Sequence, residues 1–128
     1  MVSVVAAIII DGDKVLLAKR KAEKRLGGLW EFPGGKMEPG ETPEETIVRE
    51  IKEELDIDVT VESYFSENVH QYDFGTIKLI AYVCRYAAGK FSFKDHSEVR
   101  WVNIDDLYDY EVAQADRVFV KRIMQKIY

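Results

Sequence analysis

The stretch 35–57 constrains this chain more than any other. A glycine turn runs into a helix whose exposed edge carries Glu50, Glu53 and Glu54. These residues stand at i, i+3 and i+4, so their carboxylates crowd one side of the helix. Like charges at that spacing repel, and an ordinary solvated helix gains nothing from them. A hard divalent cation turns the repulsion into attraction, because such an ion takes oxygen ligands from carboxylates and substrate phosphates. The helix start is equally clear. Thr42 is a good N-cap, Pro43 suits the first helical position, and Glu45 completes a T-x-x-E capping box. Ile47, Ile51 and Leu55 form a core-facing stripe beside the acidic edge. Asp56 falls where a left-handed C-cap residue would sit.

The rest of the chain reads as alternating strands and turns with a helix at the end. Residues 2–10 are β-branched and apolar, the pattern of a strand covered on both faces. A turn at residues 11–13 leads to a second strand over 14–19, and the two should pair as a hairpin. Residues 20–28 are a basic connection ending in Gly27 and Gly28; residues 29–35 are a short extended piece ending in Gly34 and Gly35. Residues 58–69 and 76–86 read as a second hairpin around a turn at 70–75, with 87–90 a connection. Phe91 and Phe93 look like anchors. Residues 99–102 form a strand, 103–107 a turn entering a short helix, and 112–127 a helical stripe of Val112, Ala115, Phe119, Ile123 and Ile127. This order suits one domain, residues 1–128, built as an α/β/α sandwich around a mixed sheet.

Composition removes several function classes. The net charge of −5 disfavours a general nucleic-acid binder, which would show a basic face. The single Cys84 excludes an internal disulfide and fits a reducing compartment, so a cytoplasmic location is expected. Cys84 lies in an apolar run with no histidine near it and reads as core. The apolar segment 2–10 lacks a basic lead and a cleavage site, and no run approaches the roughly 20 apolar residues that span a membrane.

The stretch 35–57 resembles the Nudix box, G-x5-E-x7-R-E-U-x-E-E-x-G-U with U apolar. Gly35, Glu41, Arg49, Glu50, Ile51, Glu53, Glu54 and Ile57 match, and Asp56 replaces the last glycine. The run G-L-W-E-F-P-G-G-K-M-E-P-G-E-T is similar to the MutT-like branch of Nudix hydrolases, and the similarity extends over nearly the whole chain. The resemblance implies an enzyme that hydrolyses a nucleoside triphosphate to the monophosphate and pyrophosphate with Mg²⁺, or Mn²⁺ in its place. It implies metal binding by Glu50, Glu53 and Glu54 with a carbonyl of Gly34 or Gly35. It implies that Arg49 orients those glutamates, that Arg20 contacts phosphate, and that Glu31, Phe32, Pro33 and Gly34 line the nucleotide pocket. Arg25 and Lys36 carry charge suited to phosphates. Asp95, Glu98 and Glu53 all remain open as the general base.

Asp116 matches a position where MutT-like enzymes place an Asn or Asp in the base pocket. An ionised Asp only accepts hydrogen bonds and favours bases that present amino groups; a protonated one donates and readmits an oxidised guanine. Trp30, Phe32, Tyr72 and Phe74 are stacking candidates, though aromatics of such a sheet more often pack in the core. The expected substrate is a modified or non-canonical nucleotide, with a cytosine nucleotide placed ahead of 8-oxo-dGTP. The alternatives are a Nudix hydrolase of ADP-ribose or a dinucleotide polyphosphate, and a nucleotide-binding module without catalysis. The expected partner is a small nucleotide, with no nucleic acid or membrane, and the chain a monomer or homodimer.

Overall fold

The computed structural model describes residues 1–125. Ten elements follow in order: β1 (Val2–Asp11), β2 (Lys14–Arg20), β3 (Trp30–Glu31), β4 (Gly34–Lys36), α1 (Pro43–Leu55), β5 (Ile57–Tyr72), β6 (Gly75–Gly89), β7 (His96–Asn103), a 3₁₀ helix (Ile104–Asp109) and α2 (Gln114–Met124). The strands form one seven-stranded sheet. It is mixed: β1 runs parallel to β6 and antiparallel to β2 and β4. Strand β2 pairs antiparallel with β3 and β7, and β5 with β6. The α/β/α sandwich expected from the order of elements is the fold.

Strand β1 shows why both sheet faces are covered. Its residues alternate between two cores, as the period of two requires. Ala6 and Ile8 pack towards α2 with Phe119, Val120 and Ile123. Val5, Ala7 and Ile9 pack towards α1 with Ile47, Ile51 and Leu55. The three α1 residues are fully buried, and each contributes about 2 kcal/mol by removing its side chain from water. Cys84 belongs to the α1-side core, and burial pushes its thiol up to about 12.

Helix α1 begins as its sequence dictates. The Thr42 side chain accepts from the Glu45 N–H at 3.2 Å, and the Glu45 carboxylate accepts from the Thr42 N–H at 2.9 Å. At the other end Asp56 adopts the left-handed conformation at φ 57, and its N–H donates to the Lys52 carbonyl at 3.0 Å. The acid in place of the usual glycine therefore keeps the cap geometry.

Several boundaries differ from the sequence reading. The β5–β6 hairpin extends over the expected turn, leaving only Asp73 and Phe74 between the strands. Pairing also continues to Gly89, opposite Ile57, through what reads as a connection. Cross-strand backbone bonds over this long ladder override the local turn signals. Register shifts, the mark of β-bulges, interrupt the pairing within β5. Strand β7 starts at His96, earlier than expected, because it follows β2 along its whole length. Phe91 packs on the α1-side core, but Phe93 is exposed and anchors nothing. Val112 precedes α2 and bridges to Trp30, while Ile127 lies outside the described residues.

Candidate functional site

Strand β4 brings the glycine turn against β1, with Gly34 opposite Ala6 and Gly35 opposite Val5. A Cβ on Gly34 would run into the Val5 carbonyl, and one on Gly35 into the Glu50 carboxyl. Absence of side chains at these two positions lets α1 lay its acidic edge against the sheet.

Arg49 ties that edge together. Its Nε and Nη2 donate to the Glu41 oxygens at 2.6 and 2.9 Å, a bidentate fork. Its Nη1 reaches Glu50 at 2.8 Å and Glu53 at 3.3 Å, and Nη2 donates to the Lys36 carbonyl at 3.2 Å. The Arg49 hydrogen bond, with one from the Glu38 N–H, lowers the Glu41 pKa to about 2.

Glu50 and Glu54 line a cleft of about 390 Å³ with Gly34, Gly35, Arg20, Lys24, Glu31, Asp95, His96 and Asp116. Burial first, then the neighbouring Glu50 charge, pushes the Glu54 pKa up to about 8. The charges of Glu31 and Asp95 act in the same direction. The cleft is thus short of positive charge, and its donors are hard oxygens suited to Mg²⁺ or Mn²⁺. Glu50, Glu54 and the Gly35 backbone fit such an ion in kind. Among the described residues no three side chains are gathered as a ready metal cluster. Glu53 is 61% exposed, paired with Arg49, and outside the cleft lining.

A second, apolar cleft of about 250 Å³ opens from the first and shares Val4, Arg20, Glu31, Gly35, Lys36, Leu79 and Asp116. Its further walls include Leu26, Tyr72, Phe74 and Ala115. Tyr72 and Phe74 stack face to face at 5.0 Å, and the Arg25 guanidinium lies 4.6 Å over Phe74. The Ala115 N–H donates to the Tyr72 hydroxyl at 2.9 Å, and the Asn68 amide donates to the Ala115 carbonyl at 3.0 Å. These bonds clamp the start of α2 to β5. Asp116, in the first turn of α2, is thereby buried at the junction of the clefts, where one oxygen accepts from the Phe32 N–H at 3.0 Å. Burial, reinforced by the Glu31 charge, raises the Asp116 pKa well above the usual carboxylate range.

The remaining expected residues divide. Asp95 lines the acidic cleft and pairs with Lys24 at 3.2 Å. Glu98 pairs with Arg100 and lines a different surface hollow with Trp30 and Tyr110. Trp30 and Phe32 pack in the core, Phe32 also bordering the acidic cleft, whereas Tyr72 and Phe74 line the apolar cleft. Pro33 is buried, and its carbonyl accepts from the Ala7 N–H at 2.8 Å. Lys36 is exposed at the rim. Arg20 donates through Nη1 to both Glu31 oxygens at 3.2 and 3.3 Å and through Nε to the Arg25 carbonyl at 2.6 Å. His96, absent from the residues picked by sequence, is buried with Nε2 2.9 Å from Glu31. Nothing in a lone D-H-S-E segment marks its histidine for this role.

The NUDIX domain profile matches residues 1–123. CTP pyrophosphohydrolase of Escherichia coli K12 is 36% identical over 124 residues, covering 97% of this chain and 92% of the relative. An 8-oxo-dGTP diphosphatase of the same strain is 29% identical over 113 residues, covering 88% of each. The solution structure of MutT from methicillin-resistant Staphylococcus aureus 252 superposes with a TM-score of 0.78 at 36% identity, covering 98% of this chain and 96% of that one. With the glycine lead-in, the Arg49 fork and the acidic edge of α1 all present on a matching fold, the chain belongs to the Nudix hydrolase family.

Proposed function

We propose that this enzyme hydrolyses a nucleoside triphosphate to the monophosphate and pyrophosphate with Mg²⁺ or Mn²⁺, taking a cytosine nucleotide first and 8-oxo-dGTP second. The observation that carries the reading is the pair of joined clefts, one acidic and one apolar, meeting at Arg20, Glu31 and Asp116. A nucleoside triphosphate has the same two-part character, an anionic chain joined to a flat apolar base.

Glu50, Glu54 and the Gly35 carbonyl would hold the metal, joined by Glu53 on release from Arg49. When bound, the ion neutralises phosphate charge and polarises water and phosphate oxygens. Arg20 and Lys36, which border both clefts, hold and orient the triphosphate, while Arg25 covers Phe74 in the apolar cleft. Arg49 orients Glu50 from behind. Asp95 is the carboxylate best placed as general base, since of the three candidates it alone lines the acidic cleft.

Asp116 reads the base. A neutral carboxylic acid presents a donor and an acceptor side by side. That pair matches the amino group and ring nitrogen of cytosine, and also the amide edge of an oxidised guanine. The CTP pyrophosphohydrolase relative supports the first base. The raised Asp116 pKa and the 8-oxo-dGTP diphosphatase relative favour the second as a real alternative. The test is pyrophosphate release, with metal and with chelator, across dCTP, 5-methyl-dCTP, CTP, dATP, dGTP, 8-oxo-dGTP, ADP-ribose and a diadenosine polyphosphate. Metal-dependent release led by cytosine nucleotides is expected. Turnover confined to ADP-ribose or the dinucleotide would refute the triphosphate reading.

A further inference from the structure

Three neighbouring strands place Arg20, Glu31 and His96 together. Arg20 on β2 lies opposite His96 on β7, while Glu31 on β3 lies opposite Ala18 of β2. The Glu31 and His96 side chains meet across β2 at 2.9 Å. A carboxylate only accepts, so the imidazole proton in that contact belongs to Nε2. His Nδ1 is buried and has no partner among the described residues. The one polar contact of this buried ring therefore goes to Glu31.

Glu31 in turn receives Arg20 Nη1 on both oxygens. The Arg20 Nε is held by the Arg25 carbonyl. Among the described residues no hydrogen bond uses Arg20 Nη2, and Arg20 borders both clefts. A long arginine free in solvent would sample many rotamers, and fixing it before substrate arrives removes that entropy from binding.

We infer that His96 is a positioning residue: it fixes Glu31, which aims the Arg20 guanidinium at the substrate phosphates. This rests on the reading of Arg20 as a phosphate contact. Glu31 is then an anion that strengthens the binding of another anion. By direct Coulomb repulsion alone, its removal would tighten nucleotide binding. Acting through Arg20, its removal weakens binding.

The experiment measures Kd for the α,β-methylene analogues of dCTP and dGTP, with Mg²⁺, for the full chain and its variants. His96→Leu fills the buried space without a donor. It is expected to weaken both analogues alike, about tenfold, as for loss of a hydrogen bond to a charged group. His96→Gln keeps an amide donor near Nε2 and should restore most of the affinity. Glu31→Gln should weaken binding despite losing a negative charge, and adding His96→Leu to it should do no further harm. Equal Kd values for His96→Leu and wild type, with Arg20→Ala weakened, would overturn the positioning role and leave Arg20 as a phosphate contact. Arg20→Ala binding like wild type would overturn both. Should His96→Leu fail to fold, Glu31→Gln decides alone: unchanged or tighter binding overturns the inference.

Discussion

The acidic and apolar clefts adjoin, yet they are built in opposite ways. The acidic one takes its glycine floor and its closest carboxylates, Gly34, Gly35, Glu50 and Glu54, from one continuous segment over β4 and α1. Its carboxylates repel, and burial pushes Glu54 up to about 8. The apolar one is assembled from Arg25, Tyr72, Phe74 and Asp116, which come from a loop, a hairpin and the last helix. Its parts attract: two rings stack, a guanidinium covers one of them, and β5 side chains hold α2. The contrast teaches that the half proposed to hold the metal is electrostatically strained, whereas the half proposed to hold the base is organised in advance.

Removing charge from the strained half should have the largest effect. Glu54→Gln is expected to lower turnover about a hundredfold or more, since it takes a charged ligand from the proposed metal site. Folding should survive, because the amide fills the same space and needs no counter-ion. A folded variant with wild-type turnover would sink the metal assignment.

The pH dependence of stability follows from the same group. Glu54 holds its proton to about pH 8 when folded but releases it near 4.5 when unfolded. The folded state therefore binds more protons between those values, and this group's contribution to stability is lost as pH rises through that window. Without metal, Tm of the wild type should fall from pH 5 to 9 more steeply than that of Glu54→Gln. Added Mg²⁺ should flatten the wild-type slope. Parallel slopes for the two proteins would show that the raised Glu54 pKa is not felt in folding.

In the organised half, Asp116→Asn should change the ranking of bases by about tenfold, the scale of one hydrogen bond, while altering the best rate less. Measuring kcat/KM for dCTP and 8-oxo-dGTP checks this, and an unchanged ratio removes Asp116 as the base reader. The smallest effect is expected at the end of α1. Asp56→Gly relieves a left-handed residue at φ 57 and should add roughly 1 kcal/mol of stability with turnover unchanged. Only an exposed ion pair with Lys52 is lost, which contributes little. A thermal melt with no gain would mean that the cap is already relaxed.

Much of this molecule is legible locally. The capping box, the Ile47, Ile51 and Leu55 stripe and the unbroken apolar run of β1 each follow from one segment's own periodicity, and each forms as read. Hairpin ends are less legible, because residues 70–72, Ala88 and Gly89 stand in turn-like stretches that long ladders nevertheless keep paired. Asp95 and Glu98, three residues apart in one short segment, both stay open as the base from sequence. Packing separates them, one facing the acidic cleft and the other Arg100.

The chain's own order of residues was enough to specify the sandwich, the acidic edge of α1 and the Nudix family, because helix caps, strand periods and motif spacing are short-range properties. Tertiary packing alone decided that Asp116 is buried against Phe32 and that Arg20, Glu31 and His96 meet across β2. Those contacts join residues up to 84 positions apart. Burial and charge proximity, which set protonation and aim a side chain, exist only once distant strands have come together.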